Sequence, residues 1–135
     1  MKIQDILKLK NIAIVGLSRS EEKDSYNVAE YLKNNGYSII PVNPNADEIL
    51  GEKCFSSLNK LETIPDIVDV FRPSMDCLEI AKEAAELKNK HNKPIIFWMQ
   101  LGIENKEARA LLEREGIVVI ENKCIKIEHE LLHEI

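Results

Sequence analysis

Cysteine is scarce: Cys54, Cys77 and Cys124 are the only three in 135 residues, and no two stand in a CxxC spacing. That excludes a disulfide framework and a CxxC metal site, and a reducing cytoplasm is the compartment it fits best. Long apolar runs are missing too. No stretch approaches the roughly 20 residues that cross a bilayer, so no membrane partner is expected. Met1 to Lys10 carries Ile3, Ile6, Leu7 and Leu9 among Lys, Gln and Asp, which reads as a short amphipathic helix without the apolar core of a signal peptide. Positive charge is outweighed, 18 Lys and Arg against 23 Asp and Glu. The resulting formal charge of −5 argues against nucleic acid, which wants a basic patch. A small anionic ligand stays open, because local charge decides that, and Arg19, Lys23 and Arg72 all flank expected turns. Internal repeats, low-complexity segments and composition breaks are absent, so residues 1–135 are expected to form one domain.

What is present is organised around Ile12-Ala13-Ile14-Val15-Gly16-Leu17-Ser18-Arg19-Ser20. A continuous apolar run without alternation reads as a parallel strand covered on both faces. Gly16 then lets the backbone turn and approach a ligand closely. The next helix is expected to begin at Asp24 or Ser25, either of which can cap its first turn. A helix start aimed at such a turn suits a phosphate group.

The remaining elements follow in alternation. Residues 25–35 read as a helix with Val28, Ala29 and Leu32 inward, ended by Gly36. Ser38 to Val42 is a second strand, closed by Asn43-Pro44-Asn45, and residues 45–65 are an irregular crossing with a turn at Gly51. Ile67 to Phe71 is a third strand, stopped by Arg72-Pro73. Ser74 is expected to cap a helix whose inward face holds Leu78, Ala81, Ala84 or Ala85, and Leu87. Ile95 to Met99 is a fourth strand, running into Gln100-Leu101-Gly102. Asn105 caps a helix through Glu115 with Ala108, Leu111 and Leu112 inward. Ile117 to Ile120 is the fifth strand, and the tail from Ile125 to Ile135 has helical spacing at Ile127, Leu131 and Leu132.

Strands alternating with helices predict an α/β fold, a Rossmann-like doubly wound parallel sheet of five strands in the order 3-2-1-4-5. Ligands of such sheets sit outside the carboxyl ends of the strands. Residues 16–25, Asn43-Pro44, Arg72-Pro73 and residues 98–102 all arrive there.

The dinucleotide fingerprint GxGxxG is not met, since Ser18 and Glu21 replace the second and third glycines. The end of the second strand, Val42-Asn43-Pro44, also lacks the carboxylate that holds a free ribose diol. This weighs against NAD and leaves NADP or coenzyme A.

Six pieces then come in order: Gly16-x-Ser18; Ser25-Tyr26 with Val28 and Tyr31-Leu32; Gly36-Tyr37 with Val42-Asn43-Pro44; Val68-Asp69-Val70-Phe71-Arg72-Pro73; Trp98-Met99-Gln100-Leu101-Gly102; and Cys124-Ile125-Lys126-Ile127-Glu128-His129. Over about residues 10–132 the chain resembles the small stand-alone CoA-binding proteins, which are similar to the N-terminal CoA-binding domain of the succinyl-CoA synthetase α subunit. The resemblance implies that the loop from Gly16 to Ser25 holds the pyrophosphate through backbone N–H groups, Ser18 and Arg19. Ser20, Lys23 and Tyr26 belong to the same implied site. Val42, Asn43 and Pro44 would border the adenosine end and its ribose phosphate. Phe71, Arg72 and Pro73 would form the wall against the adenine and the upper pantetheine arm, and Trp98, Met99 and Gln100 would line the path of that arm. Pro73 departs from an arginine pair common in the family, which leaves Arg72 the one guanidinium at this turn.

The synthetases phosphorylate a histidine, and His91, His129 and His133 match no such position. The resemblance therefore implies binding of coenzyme A or an acyl-CoA, as carrier, sensor or regulatory module, and does not imply ligase activity. The alternatives are a small NADP-dependent oxidoreductase, or an interaction protein with a nucleotide-type site. His129 and His133, at i and i+4, could face one metal, but a solvated helical face is expected. Cys124 follows the fifth strand and could pair with the CoA thiol, although burial is the expectation for it. Cys54 and Cys77 are expected to be packing residues.

Overall fold

A computed structural model describes residues 1–133. A short helix α1 (Ile3–Ile6) precedes β1 (Asn11–Val15), α2 (Asp24–Asn34) and β2 (Ser38–Val42). A small hairpin, β3 (Glu48–Ile49) and β4 (Glu52–Lys53), and a 3-10 turn (Leu58–Lys60) lead to β5 (Ile67–Val70). A second 3-10 turn (Ser74–Asp76) runs into α3 (Cys77–His91), followed by β6 (Ile96–Met99), α4 (Lys106–Arg114), β7 (Val118–Ile120) and α5 (Ile125–Leu132). The last two residues of the expected helical tail, 134 and 135, lie outside the described residues.

Five strands form one parallel sheet in the order β2-β1-β5-β6-β7. The expected α/β architecture holds, but the expected order does not. Counting only the sheet's own strands, the third lies beside the first on the side away from the second, so the order is 2-1-3-4-5. The reason is on β2. The Pro41 carbonyl accepts from Phe55 N–H and Asn43 N–H donates to the Phe55 carbonyl, so a Phe55 bridge already covers the outer edge. Pro41 lacks the N–H that a further strand would need on that same side, and proline is confined to sheet edges. β5 pairs instead with β1, Ile12 opposite Ile67 through Val15 opposite Val70.

Alternate strand residues feed two cores. Ala13, Val15, Val68, Val70, Phe97 and Met99 point toward α3 and α4, while Ile12, Ile14, Ile67, Ile96 and Trp98 point toward α1, α2 and α5. Both faces are covered, which is why the strands read as unbroken apolar runs. α2 buries Val28, Ala29 and Leu32 as expected. α3 turns slightly from the expected face, burying Cys77 and Ile80 while Leu78 is only half-buried. α4 buries Ala108 and Leu112, with Leu111 partly covered, and Asn105 caps it by accepting from Ala108 N–H at 2.9 Å.

Two capping expectations are corrected. Lys23 occupies the N-cap of α2 without a side-chain bond, and Ser25 lies inside the first turn. Ser74 does not cap α3; its hydroxyl accepts from Glu104 N–H, tying the end of β5 to the loop after β6. Residues 45–65 are also more ordered than expected, because Leu50 and Gly51, at φ +53° and +76°, make the tight hairpin turn between β3 and β4. Among the described residues no helix is long and apolar enough to cross a membrane.

Candidate nucleotide site at the carboxyl end of the sheet

At Gly16 the backbone takes φ +85°, a conformation glycine adopts without strain. A Cβ there would meet the Phe71 carbonyl oxygen at 2.7 Å and the Arg72 Cδ at 3.0 Å. The loop after β1 is therefore pressed against the end of β5. Gly16 N–H donates to the Val42 carbonyl, and the Asn43 amide donates to the Leu17 carbonyl at 2.9 Å. Asn43 Oδ1 accepts from Asn45 N–H at 2.8 Å, shaping the turn after β2. Arg19 closes the arrangement with a 3.1 Å bond to the Asn45 carbonyl.

The loop is also held from within. Ser25 Oγ accepts from Ser18 N–H at 2.9 Å, and Ser18 Oγ accepts from Ser20 N–H at 3.0 Å. Ser25 is buried and serves the loop rather than the helix cap. Consequently the N–H groups at the start of α2 have no side-chain cap. Such orphan donors, with the positive end of the helix dipole, favour an anion.

Two clefts open at this end of the sheet. The first, about 470 Å³, takes Gly16, Ser18, Val42, Asn43, Pro44 and Arg72 from the expected residues. It continues between the 3-10 turn at Leu58 and the first turns of α3, past Ser57, Ile80, Glu79 and Glu83. The second, about 460 Å³, lies on the other face of the sheet beside α2 and the start of α5. Phe71 and Gln100 line it, together with Val28, Asn27, Leu101 and Cys124. Cys124 is half-buried, and its position on a cleft differs from the enclosed one expected. At the end of β5, then, Phe71 lines one cleft and its neighbour Arg72 the other.

Trp98 and Met99 line neither cleft. Both are fully enclosed, and they belong to opposite cores because successive residues of a strand point to opposite faces. The Trp98 indole N–H donates to the Lys123 carbonyl at 2.7 Å, anchoring the chain just before α5. Ser20, Lys23, Tyr26 and Pro73 stand near the clefts in sequence without lining them. Arg72 Nη2 pairs with Asp76 Oδ2 at 2.9 Å, a half-exposed pair of little intrinsic strength.

Beneath the second cleft sits an acid that sequence reasoning passed over. Asp69 lies on the same face of β5 as Phe71, is completely enclosed, and accepts from Gln100 Nε2 at 2.5 Å. Its Oδ2 has no partner. Burial pushes its carboxyl up to about 7, the Gln100 bond opposing the shift. The signal was one acidic residue within an otherwise continuous apolar strand.

Cys54 and Cys77 are buried, and burial raises both thiols, Cys77 to about 11. At the opposite end of the sheet the His129 and His133 rings stack at 4.2 Å. The Tyr31 hydroxyl engages His129 Nδ1 and the His129 carbonyl engages His133 Nδ1, and His129 is buried, which corrects the solvated helical face expected for it.

Known proteins share both the sequence and the fold. The chain is 42% identical over 129 residues to the uncharacterized protein YneT of Bacillus subtilis, covering 95% of this chain and 92% of that one. It is 32% identical to the ADP-forming acetate–CoA ligase II of Archaeoglobus fulgidus over 93% of its own length, which is 18% of the ligase. A hypothetical protein from Pyrococcus horikoshii superposes with a TM-score of 0.88 at 30% identity, over 99% of this chain and 94% of that one. A Thermus thermophilus structure gives the same TM-score at 32% identity, over 98% and 99% of the two chains. The model of the CoA binding domain matches residues 10–130, and the chain belongs to that family.

Proposed function

We propose that this chain binds coenzyme A or an acyl-CoA across the carboxyl ends of its strands and performs no chemistry on it. One observation carries the reading: two clefts of similar volume border each other at Phe71 and Arg72, with the Gly16 loop beside them. A ligand with a charged nucleotide half and a long, thin, amide-bearing arm suits that division. The nucleotide half occupies the first cleft, where Ser18, Asn43 and Arg72 offer polar contacts. The arm passes over β5 into the second, between apolar Phe71, Val28 and Leu101 and the carboxamides of Asn27 and Gln100. Pyrophosphate oxygens face the uncapped start of α2.

Calorimetric titration with coenzyme A, acetyl-CoA, NADP and NAD tests this reading. Binding of the two CoA species with silent dinucleotides is the expected result. Binding of NADP with no response to coenzyme A overturns it and favours a hydride-transfer enzyme.

A further inference from the structure

Asp69 is an acid within an apolar strand, and its hydrogen bond goes to a side chain that lines the second cleft. It stands opposite Ile14 of β1 and Trp98 of β6, wholly enclosed. Its Oδ1 accepts from Gln100 Nε2 at 2.5 Å, and its Oδ2 is sealed from solvent. Nothing in the cleft reaches that carboxylate, so any effect it has on a ligand passes through Gln100. Gln100 is 3% exposed and lines the cleft. Its Oε1 takes no bond among the described residues and is not one of the sealed atoms, so it opens to the cleft.

A carboxamide can meet a neighbour with its oxygen or with its N–H groups, the two ends having nearly the same shape. An ionised carboxylate only accepts, so it admits the nitrogen end alone and turns Oε1 outward. Its charge also polarises the carboxamide, which strengthens that oxygen as an acceptor in a water-poor interior. Burying the carboxylate costs stability that an asparagine at this position would not. What the aspartate alone adds is the direction of the amide. Gln100 is moreover the one buried polar side chain lining this cleft, beside buried Val28 and partly buried Phe71. The charged groups lining it, Asp24, Lys126 and Glu130, stand on α2 and α5, the two acids exposed and Lys126 half-buried. A neutral acceptor shielded among apolar groups suits a neutral N–H donor, and the amides of a pantetheine arm are such donors.

We propose that Asp69 is a positioning residue for the arm of the ligand: it holds the Gln100 carboxamide with its nitrogen inward, so that Oε1 accepts a hydrogen bond from an amide N–H of that arm. The inference rests on the CoA-binding reading and adds to it the pair that selects an amide-bearing arm. An ester in place of an amide keeps the length and the carbonyl of the arm and removes the donor.

The test is calorimetric titration at pH 8, above the value of about 7 to which burial raises Asp69, so that its carboxylate is ionised. The ligands are coenzyme A and two analogues, each with one of the two amides of the arm replaced by an ester. The wild type is expected to bind one of the analogues about 10-fold more weakly than coenzyme A, roughly the worth of one hydrogen bond. In Asp69→Asn the Gln100 amide is free to turn either way, so coenzyme A weakens and the discrimination shrinks to within about 3-fold. Combining Asp69→Asn with Gln100→Glu reverses donor and acceptor: the asparagine N–H bonds one oxygen of the new carboxylate and the other faces the cleft. Discrimination returns in that double variant, which a merely structural role for Asp69 would not produce. Thermal melting identifies a double variant that fails to fold, and Asp69→Asn alone then decides. A wild type that tolerates both esters overturns the assignment while leaving CoA binding standing. So does an Asp69→Asn protein that keeps the full discrimination, or a folded double variant that does not regain it. A wild type that binds none of the three ligands overturns CoA binding itself, and the assignment with it.

Discussion

The missing side chain of Gly16 and the backbone carbonyl of Phe71 occupy adjoining space: a Cβ at Gly16 would stand 2.7 Å from that oxygen. The loop after β1 is thus fitted against the end of β5, independently of any ligand. Gly16→Ala should cost about 2–4 kcal/mol, combining left-handed strain with overpacking. Chemical denaturation measures this directly. An alanine variant as stable as wild type would show that the loop can move away from β5. Loss of ligand affinity at this position must therefore be read alongside stability, since the substitution disturbs the fold before any phosphate arrives.

Asp69 makes stability depend on pH with an unusual sign. Its carboxyl has an ordinary value of 3.8 and is raised to about 7 in the folded protein. Below the ordinary value both states hold the proton; between the two values only the folded state does. Stability from this group is therefore full at low pH and falls by about 1.4 kcal/mol per pH unit up to about 7, roughly 4 kcal/mol in all. His129, held below its ordinary value mainly by burial, slopes the other way, gaining stability as pH rises toward 6.5. The difference between wild type and Asp69→Asn isolates the aspartate, because asparagine keeps an oxygen for Gln100 and cannot ionise. Urea unfolding at pH 5 and pH 8 should show the variant gaining on wild type by about 2–3 kcal/mol at the higher pH. An unchanged difference would mean that Asp69 ionises in the folded state much as it does in the unfolded chain.

Arg72 is expected to exchange Asp76 for a ligand phosphate. Arg72→Ala should weaken coenzyme A about 10-fold or more, as loss of a charge-assisted bond does. If its partner is the ribose 3′-phosphate, dephospho-CoA should lose much less. Asp76→Ala should tighten coenzyme A by freeing the guanidinium from its 2.9 Å pair. Calorimetry with both ligands checks all three, and equal losses for the two ligands in Arg72→Ala would move the contact to the pyrophosphate.

Most of the architecture was legible because buried parallel strands announce themselves as apolar runs ending in turn residues. β2 was read to its end residues, Ser38–Val42. The strand order was misread although Pro41 carried the information, since a proline inside a strand marks an edge and the expected order put that strand in the interior. The hairpin at residues 48–53 escaped notice because its strands are two residues long and a leucine occupies a left-handed position. At the candidate site, glycine and turn residues led to the Gly16 loop and Asn43. Trp98 was misplaced by its nearness to a strand end, where the alternation of β6 turns it into a core. Glu83 was invisible, being one of several acids along a helix whose burial depends on a 3-10 turn contributed from elsewhere in the chain.

The Phe55 bridge over Pro41 has a meaning for how this molecule meets others. An open sheet edge invites pairing with a second chain, and here one margin is closed twice, by a residue that cannot donate and by a strap already bonded to it. The other margin, β7, is three residues long. Fibre-like growth through backbone pairing thus has no long template on either side of the sheet.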